Sequence, residues 1–201
     1  MRIAAVLLIA LAAALSGCAP LVVGGAVAGG TLVAVDRRPP DVMGTDERIE
    51  LQAVSNISDR LKDQAHINVT SYNKQVLLTG EAKTEALKQE AERIVAGLPE
   101  VKGVVNEIQV AAPSELGARS NDTYITSVVK SRMVTAQKFN PVHVKVVTEA
   151  SVVYLMGLVT RKEADDATQI ARTTSGVKRV VRVFEYIPDP QPKPAPAQPA
   201  K

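Results

Sequence analysis

One pattern is written twice in this chain. Val76-Leu-Leu-Thr-Gly80 recurs 77 residues later as Val153-Tyr-Leu-Met-Gly157, and at the same offset Ile67-Asn-Val69 falls on Val144-Lys-Val146 and His66 on His143. After a one-residue deletion, Val101-Lys-Gly-Val-Val105 meets Val177-Lys-Arg-Val-Val181, and Ile108 meets Phe184. A duplication of this length makes two small packed units rather than one large domain. The copies run from about residue 46 to 112 and from about 122 to 187.

Both copies carry the same order of elements. In the first, Val54, Ile57 and Leu61 recur at helical spacing. Two short β-rich runs follow, Ile67 to Thr70 and Gln75 to Gly80, joined by a turn around Asn73. Glu81 to Leu98 reads as an Ala/Glu/Lys-rich amphipathic helix, and Val104 to Val110 closes as a strand. Helix, strand, strand, helix, strand is an α+β unit whose two helices cover the apolar face of the strands. In the second copy the first helix is expected to take Asp122 as N-cap and to turn Ile125, Val129 and Met133 onto the sheet.

The start of the chain reads separately. Arg2 precedes an uncharged run from Ile3 through Leu15, and the small residues Ser16 and Gly17 stand just before Cys18, the layout of an export signal. Leu15-Ser16-Gly17-Cys18 resembles the lipobox of bacterial lipoproteins, where the cysteine is acylated and the bond before it is cut. Cys18 is the only cysteine, so internal disulfides are excluded and stability must come from packed cores. Residues 1–17 are therefore expected to be a signal peptide and residues 18–45 an acylated, Gly-rich tether. A membrane span needs roughly 20 apolar residues. Ile3 to Val35 has that length, but Pro20 and Gly24, Gly25, Gly29 and Gly30 interrupt any continuous helix.

Gly80 and Gly157 each end a strand, and each is followed by a helix and then by a valine-rich element, Leu98-Pro-Glu-Val-Lys-Gly-Val104 or Ser175-Gly-Val-Lys-Arg-Val180. This succession resembles the BON domain, which implies an αββαβ fold with a three-stranded mixed sheet packed on two helices. BON domain 1 would span 46–112, a linker 113–121 and BON domain 2 122–187. A lipobox with two such domains, together with Asn121-Asp-Thr-Tyr-Ile-Thr126, is similar to the dual BON-domain outer-membrane lipoproteins of the DolP (YraP) type. That resemblance implies an outer-membrane position, lipid-anchored and facing the periplasm, to which Ala19 after the cysteine also points. It implies further that the second BON domain binds anionic, phosphatidylglycerol-like phospholipid and supports envelope integrity, at division sites or under envelope stress. The two glycines read as structural, at positions that need positive φ or close packing.

No catalytic constellation assembles from the sequence, and no cofactor or metal is called for. The two histidines sit at equivalent positions of the repeat, which suggests structure. Nucleophilic, phosphoryl-transfer and zinc chemistry lack their parts. Asp165-Asp166, the adjacent acidic pair, falls on the second copy's long helix, where a solvated face accounts for it.

Charge separates the copies. Residues 46–112 hold eight Lys/Arg and eleven Asp/Glu, a net of −3, and residues 121–187 hold ten and six, a net of +4. The basic copy suits an anionic headgroup surface, where each basic residue contributes about 1 kcal/mol. Nucleic acid, the other usual partner of a basic surface, is removed by export. At 100° per residue, Tyr124, Val128, Ser131 and Thr135 form a stripe apart from the core stripe, with Lys130 and Arg132 to either side and Val134 near its edge. An aromatic with a polar tip, an aliphatic and flanking cations suit an interfacial lipid-binding face. Tyr124, Val128, Lys130, Ser131, Arg132 and Val134 are the expected lipid-binding residues. The alternative is that Tyr124 and Val128 pack on the first copy or on Ala111 to Ser120.

From Pro188 the last fourteen residues hold six prolines and are expected to form a disordered polyproline II tail. Lipid binding by an acyl-anchored outer-membrane protein is thus the leading expectation. The rival is a non-enzymatic adaptor that docks an envelope assembly machine or cell-wall component through BON domain 1 or the Pro-rich tail.

Overall fold

The computed structural model describes residues 36–112 and 116–189. The expected export signal, Cys18 with the first part of the expected tether, and the Pro-rich segment from residue 190 lie outside the described residues. Asp36 begins the compact unit that contains both repeats.

In the first repeat α1 (Pro40–Leu61) and a short 3-10 turn lead into β1 (Ala65–Tyr72) and β2 (Gln75–Ala82). Then come α2 (Glu85–Ala96), β3 (Gly103–Asn106) and β4 (Gln109–Val110). The second repeat runs α3 (Leu116–Ala136), a 3-10 turn at Pro141–His143, β5 (Lys145–Glu149), β6 (Val152–Val159), α4 (Arg161–Arg172) and β7 (Arg179–Tyr186). In each sheet the hairpin is antiparallel and the last strand joins the middle one in parallel, so the sheets are mixed as expected. A parallel partner requires a crossover, and α2 and α4 supply it.

The helices sit where their apolar residues can meet a strand. Ile49, Ala53 and Ile57 of α1 pack on Val76 and Leu78, and Ile125, Val129 and Met133 of α3 pack on Val153 and Leu155. Val54, expected on the core stripe, is half exposed, and Ala53 takes that place. Burying a side chain as large as Ile125 contributes on the order of 2 kcal/mol.

Four boundaries differ from the sequence reading. α1 starts at Pro40, so residues 40–45, expected in the tether, are the first turns of the first repeat's helix, with Thr45 buried. β2 continues through Ala82, with Glu81 buried, and α2 starts only after Thr84, whose side chain caps the Leu87 amide. α3 starts at Leu116, so Asp122 lies inside the helix and is not its N-cap. The closing strand of the first repeat breaks into β3 and β4, because Asn106 turns its side-chain oxygen to the Ile108 amide and Ile108 drops fully into the core. β4 gives the first sheet a fourth, two-residue strand.

Alternation on the strands predicted one covered face, yet β2 and β6 are buried on both. Leu77 and Tyr72 of the first sheet pack on Tyr154, Met156 and Leu158 of the second, forming a third core between the repeats. Two sheets packed face to face through their middle strands explain why both read as nearly continuous apolar runs.

Candidate functional site

The hairpin turns show how each first helix is held to its sheet. Asn73 and Lys74 have φ of 53° and 68°, and Ala150 and Ser151 have 49° and 65°, a left-handed pair in each repeat. Tight two-residue hairpins need this twist but usually recruit glycine for it. Here an aspartate on the first helix supports the strained peptides. Asp46 accepts from the Asn73 and Lys74 amides at 2.8 and 2.7 Å and from Ser71 Oγ at 2.7 Å. Asp122 accepts from the Ala150 and Ser151 amides, both at 2.8 Å. The clamp fixes the rotation of α3 about its axis, and so decides which residues face out.

Tyr124 and Val134 are the large apolar residues that α3 exposes among its described side chains. Their exposures are 66% and 60%, so the Tyr124 ring is not packed against the first repeat. Val128 is half-buried, and Lys130 and Ser131 are exposed. Lys130 makes no hydrogen bond or ion pair among the described residues. Arg132 points elsewhere: its guanidinium donates to the Ile170 carbonyl at 3.0 Å and to Thr174 and Thr173 hydroxyls at 2.6 and 3.1 Å, closing the C-terminus of α4. A cation there also meets the negative end of the helix dipole.

Gly80 and Gly157 are each pressed against the residue their repeat-mate histidine provides. A Cβ on Gly80 would strike the His66 carbonyl, and one on Gly157 the His143 carbonyl. Gly80 also has φ of +102°. The repeated histidines thus mark a backbone approach that admits no side chain.

Asp165 pairs with Arg182, and Asp166 with Lys138 and Lys162, so neither carboxylate is set up as a general acid or base. No group of three His, Cys, Asp or Glu among the described residues is placed to hold a metal. No described helix is long and apolar enough to cross a membrane.

Sequence reading missed the residues that join the repeats. Arg37 Nη1 donates to the Leu158 carbonyl at 2.8 Å, and the guanidinium forks onto Glu163 at 2.6 and 2.9 Å. Burial opposes ionisation of Glu163, but Arg37 and the Thr160 amide outweigh it and hold the carboxyl below its ordinary range. Arg38 chelates Asp36, reaches Asp46 at 3.0 Å and lies 4.0 Å above the Tyr72 ring centre. Burial likewise disfavours charge on Asp36, and the Arg38 contacts reverse the sign and lower its pKa. Asp36 to Arg38 therefore strap both repeats at the point where the preceding chain joins the fold. Adjacent Asp-Arg-Arg was the available signal, but charge alone does not say what it touches.

Two αββαβ units packed sheet to sheet, with a helix face left exposed, define a tandem α+β protein. The chain belongs to the BON-domain family: the BON domain model matches residues 45–112 and 121–188. It is 33% identical to outer membrane lipoprotein DolP of Haemophilus influenzae over 175 residues, covering 86% of this chain and 90% of the relative. It is 35% identical to a 21 kDa hemolysin of Actinobacillus pleuropneumoniae over 155 residues, 76% of this chain and 80% of the relative. Osmotically-inducible protein Y of Escherichia coli matches at 32% identity over 117 residues, 57% of this chain and 58% of the relative.

Proposed function

We propose that this protein is an acyl-anchored outer-membrane lipoprotein that binds anionic phospholipid through α3 of its second repeat. The observation that carries the reading is the pairing of Tyr124 and Val134, both well exposed, with Lys130, which has no partner among the described residues, on the outward side of one helix. Removing an exposed aromatic and an aliphatic from water while placing a cation among phosphates suits a membrane interface. The second repeat's excess of four positive charges favours anionic headgroups, and the first repeat's deficit disfavours them. Similarity to outer membrane lipoprotein DolP over most of the chain supports the anchored, outer-membrane setting, with Cys18 as the acylated residue. The anchor raises the local concentration of headgroups, so a weak site suffices. The protein works as a binding module and not as an enzyme.

Sedimentation with vesicles tests this. Protein lacking residues 1–20 should pellet with phosphatidylglycerol vesicles and remain in solution with neutral ones, and Tyr124→Ala with Lys130→Glu should abolish the difference. Equal binding to both vesicles, or no effect of the double substitution, would end the lipid reading.

A further inference from the structure

Beside the exposed face of α3 lies a groove of about 400 Å3, lined by Met133 and Val134 of α3, by Pro141, Val142 and Val144, and by Tyr72 of the first repeat. Arg38, Lys130 and Lys145 complete its lining. Its size is within the roughly 300–1,000 Å3 of small-molecule sites, and an apolar lining with a few polar groups is their usual character.

The three cations are not equivalent. Arg38 is engaged with Asp36 and Asp46, and Lys145 with Glu50 at 2.9 Å and the Ser71 carbonyl at 3.3 Å. Lys130 alone of the three brings charge that no described acid compensates. Val134 both lines the groove and is 60% exposed, so the apolar lining runs out continuously onto the outward face of α3. Arg38, at the groove, stands two residues after Asp36, the first residue of the compact unit. One positive charge at the rim of an apolar slot complements a molecule with one anionic head and one hydrocarbon chain.

We infer that this groove takes a single chain of an anionic phospholipid, the phosphate at Lys130 and the first methylenes along Val134, Val142 and Pro141. The inference rests on the lipid reading above and goes further: the second repeat captures individual lipid molecules, in addition to resting on a charged surface. Tyr124 belongs to the surface contact and lies outside the groove.

The test uses the compact unit from Asp36, which holds its own three cores. Lysophosphatidylglycerol is titrated below its micelle concentration, with glycerol 3-phosphate as the head alone. Saturable one-to-one binding is expected for the lysolipid and none for glycerol 3-phosphate. Val142→Asp should weaken it at least tenfold, and Tyr124→Ala should leave it within about twofold. Should Val142→Asp disturb folding, as read by circular dichroism, Lys130→Gln at an exposed position should still weaken binding severalfold. Absence of saturable lysolipid binding, with phosphatidylglycerol vesicles still bound, overturns the groove and leaves the surface reading standing. Equal binding of glycerol 3-phosphate overturns the acyl part, and failure to bind either lysolipid or vesicles overturns both readings.

Discussion

Asn68 of the first repeat donates its side-chain amide to Glu149 of the second at 2.8 Å, across the contact between the two sheets. Thr79 Oγ1 reaches the same carboxylate oxygen at 3.3 Å. Burial pushes the Glu149 carboxyl up, the Asn68 bond opposes that, and the charges of Glu81 and Asp122 add to the rise. A raised carboxyl costs stability where it is ionised in both states, and that cost is relieved as pH falls from neutral toward the ordinary carboxylate range. Asp36, Glu163 and Asp166 have the opposite sign, being lowered, so their stabilisation is lost in more acid solution. The Glu149 part is isolated by difference. Relative to Glu149→Gln, the native protein should gain stability in urea titrations as pH falls from neutral toward the ordinary carboxylate range, and a constant difference would refute the assignment.

The aspartate clamps are expected to be worth more than ordinary caps. Asp122→Ala removes both acceptors from a turn whose two residues are already left-handed and leaves the Ala150 and Ser151 amides without their carboxylate partner. A loss of about 2–3 kcal/mol follows for charge-assisted bonds of this kind. Chemical denaturation should show that loss, with hydrogen exchange at Ala150 and Ser151 speeding more than at β7.

Gly157→Ala should be among the most damaging single substitutions in the second repeat. The added methyl meets the His143 carbonyl, which belongs to the backbone and cannot rotate away. A loss of roughly 3 kcal/mol or more is expected, since an overpacked site must shift main chain. Thermal melts of Gly157→Ala and of Gly80→Ala should agree in direction, because His66 stands in the same relation to Gly80.

Arg37→Ala should loosen the strap without unfolding either repeat. It deletes two bonds to Glu163 and one to Leu158, at side chains 23% and 16% exposed. Partial exposure screens the pair, so the loss should stay near 1 kcal/mol. Proteolysis should then favour cleavage around residues 36–39, and an unchanged cleavage pattern would count against the strap.

Repetition made the fold legible. Val76 and Leu78 answer Val153 and Leu155, and a strand written twice carries more weight than either alone, whereas the face of the first helix was misjudged at Val54, whose place Ala53 takes. The second buried face of β2 and β6 was hidden because the residues that fill it, Leu77 and Tyr154, read equally well as members of an apolar run. Arg132 shows the limit for the site: helical geometry put it beside Tyr124, but only the position of the α4 C-terminus shows that its guanidinium is spent on carbonyls and hydroxyls. Arg37 and Glu163 are 126 residues apart, beyond any local pattern.

The central claim is that Tyr124 enters the membrane interface. The chain has no tryptophan, so Tyr124→Trp places a single reporter at that position. Its emission should shift to the blue when phosphatidylglycerol vesicles are added and stay unchanged with phosphatidylcholine vesicles. An emission maximum that remains that of a water-exposed indole, under conditions where the protein sediments with the anionic vesicles, would contradict the account.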